Sequence, residues 1–118
     1  MGKSREIVEH FFGAMHGGDG PGARKLLKDD LDFSGPFDKF NKADDYIAAL
    51  AALGSIVKGA NLHKIFEDGD DVAVFYDLVT DSPAGTAPIA EWHHVEGDKI
   101  ARIQVIFDAR PFAAMMGR

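Results

Sequence analysis

The sequence contains no cysteine, which excludes disulfides, thiolate metal ligands and cysteine nucleophiles. It also has no apolar run of the roughly 20 residues that a membrane-spanning helix needs, and its N-terminus lacks the apolar segment of a signal peptide. Asp and Glu outnumber Lys and Arg by 19 to 13, and the net charge of −6 disfavours binding to nucleic acid or to an anionic membrane. These absences predict a cytoplasmic protein that binds neither nucleic acid nor membranes.

Histidines are present, but not in the spacing that metal sites use. The chain has five histidines, yet no His-x-His pair and no His-Glu-x-x-His sequence. His93 and His94 are adjacent on a predicted strand, so their side chains point to opposite faces and cannot chelate one ion together. The glycines of residues 17–22 join two predicted helices, which is a poor geometry for a phosphate-binding loop. We therefore predict neither a metal nor a cofactor.

The first half of the chain shows helical periodicity. Apolar residues recur at helical spacing over 4–16, with Ser4 as the N-cap, and Pro21 suits the first turn of a second, short helix. A third helix is predicted from Lys42 to Leu53. A short strand over 31–34 lies between the second helix and the third.

From residue 57 onward the pattern changes to strands separated by turn signals. Strands are predicted over 58–67, 72–81, 86–96 and 99–108. Three successive hairpins connect these strands into an antiparallel meander. Because helices come first and sheet second, the pattern predicts one α+β domain over residues 1–118.

The turn at Gly97-Asp98 predicts which side chains of the meander face the helices. If Glu96 pairs with Lys99 in a regular hairpin, the apolar and aromatic residues share one face, and Glu91 and His93 lie on the other. The predicted inward set is Ala73, Phe75, Asp77, Val79, Ala90, Trp92, His94, Ile103, Val105 and Phe107. The predicted outward face still carries several apolar residues, which indicates a homodimer through that face. These residues are Val72, Val74, Tyr76 and Leu78.

Asp77 is the most informative member of the inward set, because burying an unpaired carboxylate costs several kcal/mol. Beside His94 it predicts acid–base chemistry, with Asp77 as the base and His94 as the proton donor. Trp92 is predicted to form a wall of the pocket, and His63 to line it. The alternative is that Asp77 lies near a strand end and pairs with the backbone or with a partner subunit.

Four local strings, in their order and spacing, carry a family resemblance. They are Phe11-Phe12-Gly13-Ala14-Met15 before Gly18-Asp19; Leu26-Leu27 running to Asp32-Phe33; Glu96-Gly97-Asp98-Lys99-Ile100; and Ile106-Phe107-Asp108 followed by Pro111-Phe112. Over almost the whole chain, the sequence resembles the nuclear transport factor 2-like superfamily, in its SnoaL-like and ketosteroid isomerase-like branch. The resemblance implies three N-terminal helices packed in a curved antiparallel sheet, which form a cone with an internal apolar pocket.

The same resemblance argues against steroid isomerisation. Ala90 matches the position of the isomerase's oxyanion-hole aspartic acid, Phe11 that of its tyrosine and Gly35 that of its general base. All three residues are small or apolar, so they leave room for a pocket but cannot perform the acid–base steps of the isomerase. Val105 stands where the related epoxide hydrolase has a pocket acid. The resemblance thus implies that Phe11 lines a pocket with different chemistry.

Three function classes stay open. The first, which assumes least, is a protein that binds a small hydrophobic carbonyl compound in its pocket. The second is a cofactor-free isomerase, cyclase, hydratase or hydrolase that uses a buried Asp/His pair. The third is a non-catalytic interaction domain that dimerises through its sheet.

Overall fold

The computed structural model describes residues 2–115. Its elements are α1 (Lys3–His16), α2 (Gly20–Lys25), β1 (Leu27–Ser34), β2 (Lys39–Phe40), α3 (Ala43–Leu53), β3 (Val57–Asp68), β4 (Asp71–Thr80), β5 (Thr86–Glu96), β6 (Lys99–Phe107) and α4 (Arg110–Met115). The strands form one open sheet in the order β2-β1-β6-β5-β4-β3. β1 runs parallel to β6, and the other neighbouring strands are antiparallel. The predicted α+β class is confirmed, whereas α4 was not predicted.

Carboxylates cap the N-termini of the first two helices. Glu67 of β3 accepts hydrogen bonds from the backbone N–H groups of Gly2 and Arg5, at 3.1 and 2.8 Å. A carboxylate at this end of α1 satisfies free N–H groups and interacts favourably with the helix dipole. The N-cap of α1 is therefore Gly2, and Ser4 is a buried residue within the helix. Pro21 lies in the first turn of α2, as predicted, and Asp19 caps this helix by accepting the Gly22 N–H at 2.9 Å.

A bulge in β6 decides which side chains face the helices. The hairpin is regular up to the pair Val95–Ile100, as predicted. The next pair is His94–Arg102, so Ala101 is an additional residue without a partner on β5. One extra residue moves every later side chain of a strand to the other face relative to its neighbour.

The bulge reverses the predicted faces of β4 and β5. Ile103 pairs with His93, and both side chains are buried in the core. Trp92 lies on the opposite face and is 47% exposed. The side chains that face the helices are Val72, Val74, Tyr76 and Leu78 on β4, and Ala87, Ile89, Glu91, His93 and Val95 on β5. We call this the inner face of the sheet, and its opposite the outer face.

The predicted orientation was therefore wrong for seven residues, because it continued a regular hairpin through the bulge. These residues are Ala73, Phe75, Asp77, Val79, Ala90, Trp92 and His94. Ile103 lies in the core, and Val105 and Phe107 pack against it. The four β4 residues predicted to form a dimer interface lie in the core or pack against it instead.

The core fills the space between the inner face and α1, α2 and α3. It contains Val8 and Phe11 from α1, Ala23 from α2 and Tyr46 from α3, packed against the buried residues of the sheet. This arrangement encloses the polar side chains that the inner face carries.

Candidate functional site

A cluster of three polar side chains lies inside this core. Glu91 and His93 of β5 are 4% and 1% exposed, and Tyr76 of β4 is also buried. The Tyr76 hydroxyl donates to Glu91 Oε2 at 2.5 Å, and His93 Nε2 lies 2.8 Å from Glu91 Oε1. Both carboxylate oxygens are thus hydrogen-bonded. We call Tyr76, Glu91 and His93 the buried cluster.

The sheet register positions the carboxylate in apolar surroundings. Glu91 pairs with Val74 on one side and with Val105 on the other. Burial alone would raise the pKa of Glu91, but the hydrogen bonds from His93 and Tyr76 and the electrostatic attraction of His93 and His16 together hold that pKa below its usual value. Glu91 is therefore an ionised carboxylate at neutral pH, inside an apolar core.

One nitrogen of the buried cluster has no partner. His93 Nδ1 is enclosed by the protein, and among residues 2–115 no group lies within hydrogen-bond distance of it. The Phe11 ring stands edge-on to the imidazole, with ring centroids 5.9 Å apart. Because an ionised carboxylate accepts from Nε2, Nε2 carries its proton, and Nδ1 is the nitrogen left free for proton transfer or for a ligand.

His16, the last residue of α1, brings a second such nitrogen to the same region. Its Nε2 is enclosed and has no hydrogen-bond partner among the described residues. Its ring contacts those of Phe12, at 4.4 Å, and Tyr76, at 5.6 Å between centroids, and these two rings also contact each other at 5.0 Å. Burial lowers the pKa of His16, and the nearby Glu91 carboxylate opposes this effect in part.

Tyr46 faces the buried cluster from α3. Its hydroxyl lies 3.9 Å from Met15 Sδ, which is a weak acceptor. Burial raises the pKa of Tyr46, and the Glu91 carboxylate raises it further. The hydroxyl therefore stays protonated at any physiological pH.

Half-buried apolar side chains lie beside the buried cluster. Phe107 of β6 pairs with Ile89 and packs edge-on against Phe112 of α4, at 5.4 Å between centroids. Other half-buried apolar residues that pack against the core are Phe12, Ile47, Leu50, Leu78 and Val105. The core around the buried cluster is therefore mainly apolar.

The residues predicted to be catalytic lie on the outer face and are not brought together. Asp77 Oδ2 pairs with His63 Nε2 at 3.0 Å. His94 Nδ1 instead contacts Asp71 Oδ1 at 2.9 Å. His63 is an exposed residue of β3, which is an edge strand. Asp77 pairs with Pro88 of β5, six residues from His94, so the two side chains do not form the pair that the regular hairpin implied.

Three of the predicted pocket residues do lie together, but on the outer face. Phe75, Ala90 and Trp92 line an open groove of about 470 Å³, together with Phe66 and Ile106. We call this the outer-face groove. The other predicted pocket residues are in the core or pack against it: Phe11, Ile103, Val105 and Phe107.

The buried cluster was missed because its two charged members were assigned to solvent. Ile89 and Val95 share the inner face with Glu91 and His93, and apolar residues at both ends of a polar pair are a signal of an inward row. Within residues 2–115, no three His, Asp or Glu side chains are grouped closely enough to hold a metal ion. In the same range, no helix is long and apolar enough to cross a membrane.

Comparisons with known proteins identify relatives of this chain. Residues 8–103 match the model of the SnoaL-like domain family. No curated protein sequence matches the chain. Among solved structures, an NTF2-like protein of unknown function from Cytophaga hutchinsonii is 28% identical, with a TM-score of 0.82 over 92% of this chain and 93% of that one.

Two more distant structures share the fold and have more informative descriptions. TerC, co-crystallised with polyporic acid, is 19% identical, with a TM-score of 0.81 over 98% of this chain and 99% of its own. A proposed polyketide cyclase from Sinorhizobium meliloti is 17% identical, with a TM-score of 0.78 over 86% of this chain and 94% of its own. At these identities, the likeness shows a common fold.

Proposed function

The chain belongs to the SnoaL-like domain family of the NTF2-like superfamily, and we propose that it binds a small hydrophobic carbonyl compound at the buried cluster. The observation that carries this proposal is the free Nδ1 of His93. Leaving a buried polar atom without a partner costs about 1–3 kcal/mol, so proteins seldom retain one without a use for it. A ligand oxygen or hydroxyl would supply the missing hydrogen bond.

The surroundings of His93 indicate the class of ligand. Phe11, Val72 and Ile103 surround the imidazole with apolar or aromatic surface, and Glu91 already contributes a negative charge. An uncharged ligand with one or two oxygens fits this environment better than an anion. Two relatives in fold support the proposal, since one is described with polyporic acid and the other as a proposed polyketide cyclase.

The test is a thermal-shift screen against cyclic ketones, lactones and hydroxyquinones, with matched variants of two adjacent histidines. His93→Gln places an amide where Nε2 was, which preserves the contact with Glu91 but removes Nδ1. His94→Gln makes the same change on the outer face. A compound at 100 times its dissociation constant should stabilise the wild type by about 2.7 kcal/mol.

We expect compounds that stabilise the wild type to stabilise His94→Gln equally and His93→Gln much less. Equal stabilisation of all three proteins would place the ligand elsewhere. A screen in which no compound stabilises the wild type would contradict the proposed function.

The same geometry favours acid–base catalysis as a second function. Glu91 holds the Nε2 proton of His93, so Nδ1 can take a proton from the carbon next to a ligand carbonyl, leave an enolate and return the proton. This step needs no cofactor, and it can begin an isomerisation or an aldol cyclisation. The measurement is NMR-detected exchange of those C–H groups in D₂O for a ketone found in the screen. We expect exchange with the wild type and His94→Gln but not with His93→Gln; wild-type exchange by His93→Gln would exclude this role.

We also propose a homodimer, formed through the outer-face groove. Its walls are exposed aromatic and aliphatic side chains, with Trp92 47% and Ile106 59% exposed. Its borders carry both signs of charge: Arg102 lies over the Trp92 ring at 5.5 Å, and Asp71 accepts from the Trp92 indole N–H at 2.9 Å. A two-fold axis can place such cations against anions of a second copy, whereas nucleic acid would require a single positive sign.

Light scattering across a concentration series tests the dimer. Phe75→Glu places a charge in the groove, whereas Leu53→Glu changes an equally exposed apolar residue on α3 and is the matched control. We expect the wild type and Leu53→Glu to be dimers at micromolar concentration and Phe75→Glu to be a monomer. A wild-type monomer under these conditions would contradict the interface.

A further inference from the structure

We propose that His16 is a second ligand-contacting residue, whose Nε2 hydrogen-bonds a hydroxyl or carbonyl group of the compound that binds at His93. This inference rests on the proposed function and names the polar group that the site selects. The mechanism outlined above makes no use of His16, although the structure directs this side chain to the region of the buried cluster.

The position of His16 is determined by packing in a cluster of three rings, in which Phe12 and Tyr76 contact the imidazole and each other. The Phe12 ring lies 4.4 Å away and the Tyr76 ring 5.6 Å away. Tyr76 in turn donates to Glu91, so His16 lies one side chain away from the carboxylate. Gly17 ends α1 directly after it, which places the imidazole on the last turn of the helix.

The free nitrogen distinguishes a binding role from simple packing. A phenylalanine at position 16 could make the same edge contacts with Phe12 and Tyr76 without leaving a polar atom unsatisfied. Instead, His16 Nε2 is enclosed without a partner among residues 2–115, as is His93 Nδ1. Two such nitrogens, on different elements around one carboxylate, indicate two hydrogen-bonding points for one ligand.

The charges of the site restrict what His16 can bind. Glu91 is ionised, and burial lowers the pKa of His16, so the imidazole is uncharged at neutral pH. A neutral imidazole can donate or accept at Nε2, depending on its tautomer. A carboxylate or phosphate ligand would meet the Glu91 charge without a compensating cation from His16. The matching group is therefore an uncharged hydroxyl or carbonyl.

The experiment compares two probes that differ by one hydroxyl group, 2,7-dihydroxynaphthalene and 2-naphthol. Both are fluorescent and uncharged at pH 7, so each can be titrated directly with protein. The proteins are the wild type, His16→Phe, which keeps the aromatic packing, and His10→Phe. His10 is an exposed residue of the same helix and is the matched control.

We expect the wild type and His10→Phe to bind 2,7-dihydroxynaphthalene roughly tenfold more tightly than 2-naphthol, as one added hydrogen bond allows. His16→Phe keeps only His93 as a hydrogen-bonding point, so it should bind the two probes alike. If His16→Phe keeps the full preference for 2,7-dihydroxynaphthalene, the inference about His16 is wrong and the proposed pocket survives. If the wild type binds neither probe, both the inference and the proposed function are contradicted.

A second measurement uses the wild type alone, so it does not depend on the folding of a variant. In ¹⁵N NMR of the imidazole side chains, 2,7-dihydroxynaphthalene should shift both the Nε2 resonance of His16 and the Nδ1 resonance of His93. A shift at His93 alone would overturn the inference, because the ligand would then not hydrogen-bond His16.

Discussion

The two faces of β5 place the same pair of chemical groups in opposite surroundings. On the inner face, His93 contacts Glu91 at 2.8 Å; on the outer face, His94 contacts Asp71 at 2.9 Å. The inner side chains are 1% and 4% exposed, and the outer ones 28% and 42%. The distances are alike, so burial decides what each pair contributes.

Water accounts for the difference between the two pairs. A solvated histidine–carboxylate pair is screened, and exposed ion pairs contribute about 0–1 kcal/mol. In the core, removal of one partner leaves the other without solvation or a hydrogen bond, which typically costs about 3–5 kcal/mol. Burial of the inner pair requires that both partners stay hydrogen-bonded, and a binding or catalytic role would explain why such a pair is present. The outer pair contributes little to stability.

The largest predicted effect compares the two carboxylates. Glu91→Ala leaves the Tyr76 hydroxyl and the His93 N–H without an acceptor, so we expect a loss of about 3–5 kcal/mol in the free energy of unfolding. Asp71→Ala should cost about 1 kcal/mol or less. Urea denaturation at pH 7 measures both values. Equal losses for the two variants would contradict the assignment of inner and outer faces.

A smaller effect separates the two buried tyrosines. Tyr76→Phe removes a hydrogen bond to an ionised carboxylate, and we expect a loss of about 1.5–3 kcal/mol. Tyr46→Phe removes only a weak contact with Met15 Sδ and should cost less than about 1 kcal/mol. The same urea denaturation measures both variants. The reverse order would show that the Tyr76 hydroxyl is not held by Glu91.

The smallest effect is on the pH dependence of stability. The pKa of His16 is lower in the folded state than its usual value of about 6.5, so the unfolded chain binds the proton more tightly. Stability should therefore fall as the pH decreases below about 6.5. The pKa of Glu91 is also lowered, so its contribution is lost only at still lower pH, below about 4.5.

Urea denaturation between pH 4 and pH 8 separates these two contributions. His16→Phe should lack the fall that begins near pH 6.5, while His10→Phe should keep it. If both variants follow the wild type, the His16 imidazole is not shielded from water as the structure shows.

The strand order of the hairpins could be predicted because its signals are local. Gly69 and Gly97 adopt positive φ angles of 61° and 68°, which glycine reaches without strain, and both lie at turns that the sequence marked. The parallel pairing of β1 with β6 has no local signal, since it joins residues that are distant in the chain. The order of the four meander strands was therefore predicted correctly, but their continuation through β1 and β2 was not.

The candidate site could not be predicted because one extra residue in β6 changes which face of β5 lies toward the helices. Ala101 has nothing in its own chemistry that marks a bulge, yet the bulge sets whether Trp92 or His93 shares a face with Ile103. The inward residues of β6 were predicted correctly. The regular pairing assumed between β6 and β5 then assigned the wrong face to β5, and through it to β4. The one sequence signal that Glu91 and His93 face inward was the apolar residues on either side of them, Ile89 and Val95.

The most direct test of the central claim uses the only tryptophan of the chain, which reports which face of β5 meets the solvent. Its fluorescence should be measured in the Phe75→Glu variant, where the proposed dimer cannot cover the groove. The structure predicts an emission maximum like that of tryptophan in water, with strong quenching by acrylamide, because Trp92 is 47% exposed. A blue-shifted emission protected from acrylamide would contradict the account, since Trp92 would then face the core and Glu91 and His93 the solvent.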